Sequence, residues 1–157
     1  MSPVAGRMAI QAGAHSLEAV TGGAGLLLGG VPGVRAADVV VIGGGVGGAN
    51  ALPKAVGRCA TVTVLDPHVS LLDRMARRCG AGQETVYSTK ASHETLVLSA
   101  DLVLGAVLVA GSRAPRLVTA EMVRDMRPGS VIVDVAIDQG GCVETARPTT
   151  HEDPTYI

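Results

Sequence analysis

From Asp38 onward, apolar and polar positions fall into two alternating patterns: short runs of Val, Leu and Ile, and longer stretches in which apolar residues recur at helical spacing. Successive side chains of a β-strand point to opposite faces, so a run that is apolar throughout belongs to a strand buried on both sides. The runs predict strands over residues 38–42, 61–65, 84–88, 102–106 and 131–135. Between them the periodicity predicts helices over residues 46–57, 69–79, 92–99 and 119–126, the last ended by Pro128 and Gly129. Repeated strand-helix units of this kind build a parallel sheet with helices on both faces. The predicted fold class is therefore α/β, a doubly wound parallel sheet in three layers.

Upstream, Ser2 followed by Pro3 is a helix start, because a serine hydroxyl can accept a free backbone N–H and proline at the first helical position gives up no bonded donor. A helix over residues 3–17 follows from it. Residues 21–33 carry six glycines and predict an irregular junction, with a short strand at residues 26–28. This organisation gives a lead-in of residues 1–34 and a main unit of residues 35–157, packed as a single structural domain.

Composition sharpens the picture. The 157 residues include no Phe, no Trp and two Tyr, so the core has to be built from Val, Leu, Ile, Ala and Met. Thirteen basic and 14 acidic residues are interspersed, which leaves no electrostatic footprint for nucleic acid. The longest apolar run, residues 102–110, is far shorter than the roughly 20 residues that cross a bilayer, and the N-terminus lacks the apolar segment of a signal peptide. A cytoplasmic protein without a membrane partner is expected. Cys59, Cys79 and Cys142 fit neither a disulfide framework nor a zinc site and are expected to be small buried residues. His15, His68, His93 and His151 show no metal spacing and are read as surface or structural, so no metal is expected.

The chemistry concentrates where the apolar strand at Val39 to Ile42 runs into Gly43-Gly44-Gly45-Val46-Gly47-Gly48 ahead of a helix. In this G-x-G-x-x-G pattern Gly43 permits a tight turn, Gly45 lets the backbone approach a pyrophosphate, and Gly48 lets helix and strand pack closely. Free N–H groups at a helix N-terminus, reinforced by the helix dipole, favour the negative phosphates. The next strand ends in Asp66, 18 residues after Gly48, close to the spacing of about 20 at which an acidic side chain reaches the adenosine ribose. A carboxylate there accepts the ribose hydroxyls and repels a 2′-phosphate, which favours NAD over NADP. The fold is then Rossmann-type.

Read end to end, the chain resembles the NAD(H)-binding domain of alanine dehydrogenases. The resemblance is carried by Ser2-Pro3-Val4-Ala5-Gly6-Arg7, by residues 28–34 around Gly29-Gly30-Val31-Pro32-Gly33, and by residues 128–142 from Pro128 through Ile137-Asp138-Gln139-Gly140-Gly141-Cys142, continuing into residues 144–151. It implies that Ser2, Val46, Gly47, Asp66, Ser88, Val107, Leu108, Val135 and Ile137 contact the cofactor and that Asp138 is the catalytic aspartate beside the nicotinamide. The implied reaction is reversible oxidative deamination of L-alanine to pyruvate and ammonia. The family's substrate-binding lysine and arginine and its catalytic histidine belong to a separate substrate-binding domain with no counterpart here, so the chain alone is expected to be inactive. A homo-oligomer is implied as well. Two other readings stay open: a non-enzymatic or degenerate NAD-binding module, and an NAD domain like that of a transhydrogenase subunit. Pro53 inside the first βα helix, where a kink is expected, Lys54 at a usually apolar position, and Leu71 where a lysine would help hold the ribose all depart from the family pattern.

Overall fold

The computed structural model describes residues 2–109 and 111–157; residue 110, the last of the longest apolar run, lies outside that range. Five strands form a wholly parallel sheet: β1 (Asp38–Ile42), β2 (Thr61–Asp66), β3 (Gln83–Tyr87), β4 (Leu102–Gly105) and β5 (Val131–Asp134). Their order across the sheet is β3-β2-β1-β4-β5. The helices are α1 (Ser2–Ser16), α2 (Val46–Val56), α3 (Val69–Cys79), α4 (Lys90–Ser99) and α5 (Ala120–Asp125). From β1 the chain walks outward through α2, β2, α3 and β3. After α4 it crosses to the far side of β1, so the strand order reverses between β1 and β4.

Strand alternation divides the core in two. Val39, Val41, Val62, Val64, Leu102 and Leu104 face one layer, where they meet Ala9 and Ile10 of α1, Ala51, Leu52 and Ala55 of α2, and Leu72 and Met75 of α3. Val40, Ile42, Leu65 and Val103 face the other, against Val97 of α4, Met122 of α5 and the later Cys142 and Val143. The three predicted layers are present, and the N-terminal helix belongs to the first of them. Its Gly6 lies so close to α2 that a Cβ there would overlap the Gly47 carbonyl oxygen, and a Cβ at Gly13 would come within 2.6 Å of a Leu102 methyl.

All five strands predicted from Asp38 onward and all five predicted helices form, with ends shifted by up to two residues. The largest shift has a visible cause: α4 starts at Lys90 because Thr89 caps it, accepting the Ser92 N–H at 3.0 Å while the Ser92 hydroxyl accepts the Thr89 N–H at 2.8 Å. Helix α2 runs on through Pro53 and ends three residues later at Val56.

Three expectations are corrected. No strand forms at residues 26–28: the Gly25 and Leu26 N–H groups both donate to the Leu17 carbonyl and Ala24 N–H donates to Gly129, so the backbone there is spent on anchoring the junction. Burial of every strand on both faces fails for the two edge strands: the four residues of β5 are all half-buried, and β3 has three half-buried residues and two exposed ones, Glu84 and Tyr87. Of the cysteines only Cys142 is buried; Cys59 is exposed in the turn after α2, and Cys79, the last residue of α3, is half-exposed.

The opposite end of the sheet from the glycine turn is closed by charge. Asp101, 3% exposed, accepts two hydrogen bonds from the Arg35 guanidinium at 2.8 and 3.0 Å, one from the Asp38 N–H at 2.8 Å and one from Arg127 at 3.3 Å. Burial pushes the Asp101 carboxyl upward, but the bonds from Arg35, from the Asp38 N–H and from Arg127 outweigh it and hold the group below the usual carboxylate range. The clasp ties together the starts of β1, β4 and β5.

Candidate functional site

In an open parallel sheet, ligands bind beyond the carboxyl ends of the strands at the point where strand order reverses. Here that point is the crevice between β1 and β4, and the glycine turn lies in it. Gly43 adopts a positive φ of 103°, and a Cβ there would approach the carbonyl carbon and oxygen of Ala106 at 2.9 Å. Both conformation and space demand glycine. A Cβ at Gly48 would overlap the Gly43 carbonyl oxygen, so glycine is again needed for the helix to start this close to the strand.

Gly45 is different. It caps the N-terminus of α2 with φ −67°, a value open to any residue, and a Cβ there would meet no atom within 4 Å. It is exposed, as is Val46, whereas Gly43, Gly44, Gly47 and Gly48 are buried. The first turn of α2 therefore offers its backbone N–H groups to an open space. Those residues fit an approaching pyrophosphate, and Gly45 leaves the approach clear.

Asp66 ends β2 with its carboxylate turned toward the same bend. Its Oδ2 accepts the Gly44 N–H at 2.7 Å, and its Oδ1 accepts the His68 N–H at 2.8 Å and faces His68 Nδ1 at 3.0 Å. An ionised carboxylate has about four acceptor positions, so three are engaged. The His68 ring is the exposed one of these partners. Leu71 sits beside this corner, with its Cβ 3.5 Å from where a Cβ of Gly44 would lie.

The other predicted site residues gather along the same strand ends. Ser88 follows β3, half-buried, and donates its N–H to the Asp66 carbonyl at 3.2 Å. Val107 and Leu108 follow β4; the Val107 nitrogen lies 3.0 Å from a Cβ built on Gly43, and Leu108 is 56% exposed. Val135 follows β5 with its Cγ2 3.8 Å from a Cβ built on Gly47. Ser2 opens α1 one helical turn before Gly6, the residue packed on Gly47. Ile137 and Asp138 occupy a single 3-10 turn beyond β5, where Ile137 is half-buried and Asp138 exposed. Among the described residues, no group of three or more His, Cys, Asp and Glu is placed to hold a metal, and no helix is long and apolar enough to cross a membrane.

Two residues in this region were not singled out from the sequence. Asp134 ends β5 and organises the loop that carries Asp138: one carboxylate oxygen accepts the Ala136 N–H at 3.0 Å, the other those of Cys142 at 2.8 Å and Val143 at 3.1 Å. The signal was available, since β5 ends in aspartate as β2 does. His93 lies behind Ser88, 3% exposed, with its Nε2 2.6 Å from the Ser88 hydroxyl. Its spacing with Leu96, Val97 and Ala100 marks the inward face of α4.

Residues 9–157 match the family model described as alanine dehydrogenase/PNT, C-terminal domain. An alanine dehydrogenase of Halomonas elongata is 59% identical over 157 residues, covering 100% of this chain and 42% of its own length. One from Mycobacterium tuberculosis is 54% identical over 157 residues, covering 99% of this chain and 42% of its own. A solved L-alanine dehydrogenase superposes with a TM-score of 0.97 at 54% identity, over 100% of this chain and 44% of that one. A transhydrogenase from Sinorhizobium meliloti gives 0.79 at 27% identity, over 93% of this chain and 43% of that one.

Proposed function

Since the chain belongs to the alanine dehydrogenase/PNT C-terminal domain family, the NAD(H)-binding domain of alanine dehydrogenase, we propose that its glycine bend holds the pyrophosphate of NAD(H) in the service of L-alanine oxidation. The observation that carries this reading is Gly45: neither its backbone angles nor its neighbours call for glycine, whereas the close approach of a ligand does. Charge on that ligand is answered by the N–H groups and dipole of α2.

Asp66 binds the adenosine ribose, and with three acceptor positions engaged it takes both hydroxyls once the His68 ring turns aside into solvent. A 2′-phosphate would meet the same carboxylate, so NAD is selected over NADP. Ser2 and Ser88 offer hydroxyls to polar groups of the cofactor. Val107 and Leu108 cover a ring face, and Val135 and Ile137 line the crevice from the β5 side.

When bound, NAD supplies a hydride acceptor. Asp138, exposed on the turn that Asp134 holds in place, moves a proton to or from the substrate nitrogen. The chain spans 42% of the length of the curated relatives it matches, and we assign the alanine clamp to a substrate-binding domain outside these residues. Hydride transfer needs both reactants held together, so turnover is expected only with that domain present. The reading includes a homo-oligomer working in the cytoplasm.

Calorimetric titration with NADH and NADPH tests the binding claim. NADH is expected to bind more tightly, by on the order of 10-fold or more given the like-charge repulsion at Asp66. No heat at millimolar NADH, or equal affinity for the two, would overturn it. Adding a family substrate domain and following NADH absorbance with alanine separates the enzyme from a non-enzymatic binding module. A rate no greater than that of either part alone supports the module.

A further inference from the structure

His93 is an almost fully buried imidazole with one partner. Its Nε2 meets the Ser88 hydroxyl at 2.6 Å, while Nδ1 is enclosed among the described residues with nothing to bond to. A 2.6 Å contact can be made in two ways: the imidazole donates to the hydroxyl oxygen, or the hydroxyl donates to the imidazole. The buried Nδ1 decides between them. If Ser88 donated to Nε2, the ring proton would sit on Nδ1 as an enclosed N–H without an acceptor, the kind of orphan folded proteins avoid most. A doubly protonated ring would carry the same orphan and a buried charge, and burial indeed pushes this imidazole below its ordinary range. The remaining form has its proton on Nε2 and a bare lone pair at Nδ1.

We propose that His93 is a positioning residue that donates from Nε2 to the Ser88 oxygen and thereby turns the Ser88 hydroxyl hydrogen outward, as a fixed donor to an acceptor nitrogen of the adenine ring of the dinucleotide. The hydroxyl makes no other side-chain hydrogen bond within the described residues, so its hydrogen is free. Ser88 follows β3, one strand further from the crevice than Asp66 on β2, and its N–H is tied to the Asp66 carbonyl. That places it beyond the ribose, on the base side. The inference rests on the NAD reading for the ligand, but not for the direction of the hydrogen bond.

Two measurements test it. Long-range proton–nitrogen NMR on ring-labelled protein reads the tautomer without any ligand; a protonated Nε2 is expected, and a protonated Nδ1 would overturn the proposal. NADH titrations then compare Ser88→Ala, His93→Phe, His93→Gln and the double variant Ser88→Ala/His93→Phe. Loss of one neutral hydrogen bond predicts affinity about 3- to 10-fold weaker for Ser88→Ala and for His93→Phe. His93→Gln keeps an amide donor and is expected to recover most of that loss. In the Ser88→Ala background, His93→Phe should weaken binding no further, since the two act as one unit. Additive losses, or unchanged affinity in Ser88→Ala, would overturn the positioning role. Should the wild-type protein bind no NADH at all, the functional reading and the adenine acceptor fall together, while the NMR result still decides which way the hydroxyl points.

Discussion

Gly45 and Gly48 lie three residues apart in one motif, yet the structure gives them different tasks, and Ala substitutions separate the two. At Gly45 the extended backbone accommodates Ala, and its Cβ would contact nothing within 4 Å. Less backbone freedom in the unfolded chain favours Ala by about 0.4–1 kcal/mol, while Ala is a poorer helix cap than glycine. The two effects oppose each other, and stability should stay within about 1 kcal/mol of wild type. The methyl would nonetheless stand in the open space that the pyrophosphate needs. Displacing the phosphate from one charge-assisted N–H bond removes about 1.5–3 kcal/mol, which is on the order of 10- to 100-fold in NADH affinity. At Gly48 the methyl would overlap the Gly43 carbonyl oxygen and press on Val41 at 3.2 Å. The helix must move off the strand, a strain of about 1–3 kcal/mol or more. Urea unfolding and NADH titration of both variants give the four numbers required. Full NADH affinity in Gly45→Ala would refute the phosphate cradle, and wild-type stability in Gly48→Ala would refute the close-packing argument.

Three further outcomes follow from the geometry. Asp101→Asn removes a buried carboxylate from Arg35 and Arg127 and should destabilise the fold by about 2–4 kcal/mol, below the full value for a buried pair because Arg35 is half in solvent and stays hydrated. The Asp101 carboxyl is depressed in the folded state, so its contribution is complete above the unfolded value of about 3.9 and lost as pH falls through the lower folded value; acid unfolding curves of wild type should show this loss below about pH 4, and a variant with the same acid slope would contradict the assignment. Thiol labelling of the native protein should modify Cys59 rapidly and spare Cys142, whose thiol is pushed up to about 12, mainly by burial and also by the nearby Asp134 charge. Asp134→Asn takes an ionised acceptor away from three backbone N–H groups, should destabilise by about 1–3 kcal/mol, and should bring Cys142 into reach of the reagent.

What could be read from the sequence, and what could not, divides along a physical line. Strands and helices are set by periodicity within ten or so neighbouring residues, and the glycine bend by the turn chemistry of six, so β1, α2 and Asp66 were legible without coordinates. The strand expected at residues 26–28 failed because the Leu26 N–H, with those of Ala24 and Gly25 just before it, is claimed by partners the local pattern does not contain, at Leu17 and Gly129. The cysteines failed for a related reason: thiols are usually buried, but Cys59 takes a positive φ of 61° in the exposed turn where α2 gives way to β2, and chain direction overrides residue preference there. Residue type at a spacing also marks a candidate ligand group such as Asp66, and the resemblance one such as Ser88, more readily than the residues that hold such groups in place. His93 and Asp134 act through a neighbour, and their value depends on which atom of the partner lies within reach: Nε2 on a hydroxyl in one case, one carboxylate across three amides in the other. The helical repeat that turns His93 inward and the terminal aspartate of β5 mark both positions as unusual. Only the fold, by closing Nδ1 away from every partner among the described residues, converts the first of those marks into a direction for a proton.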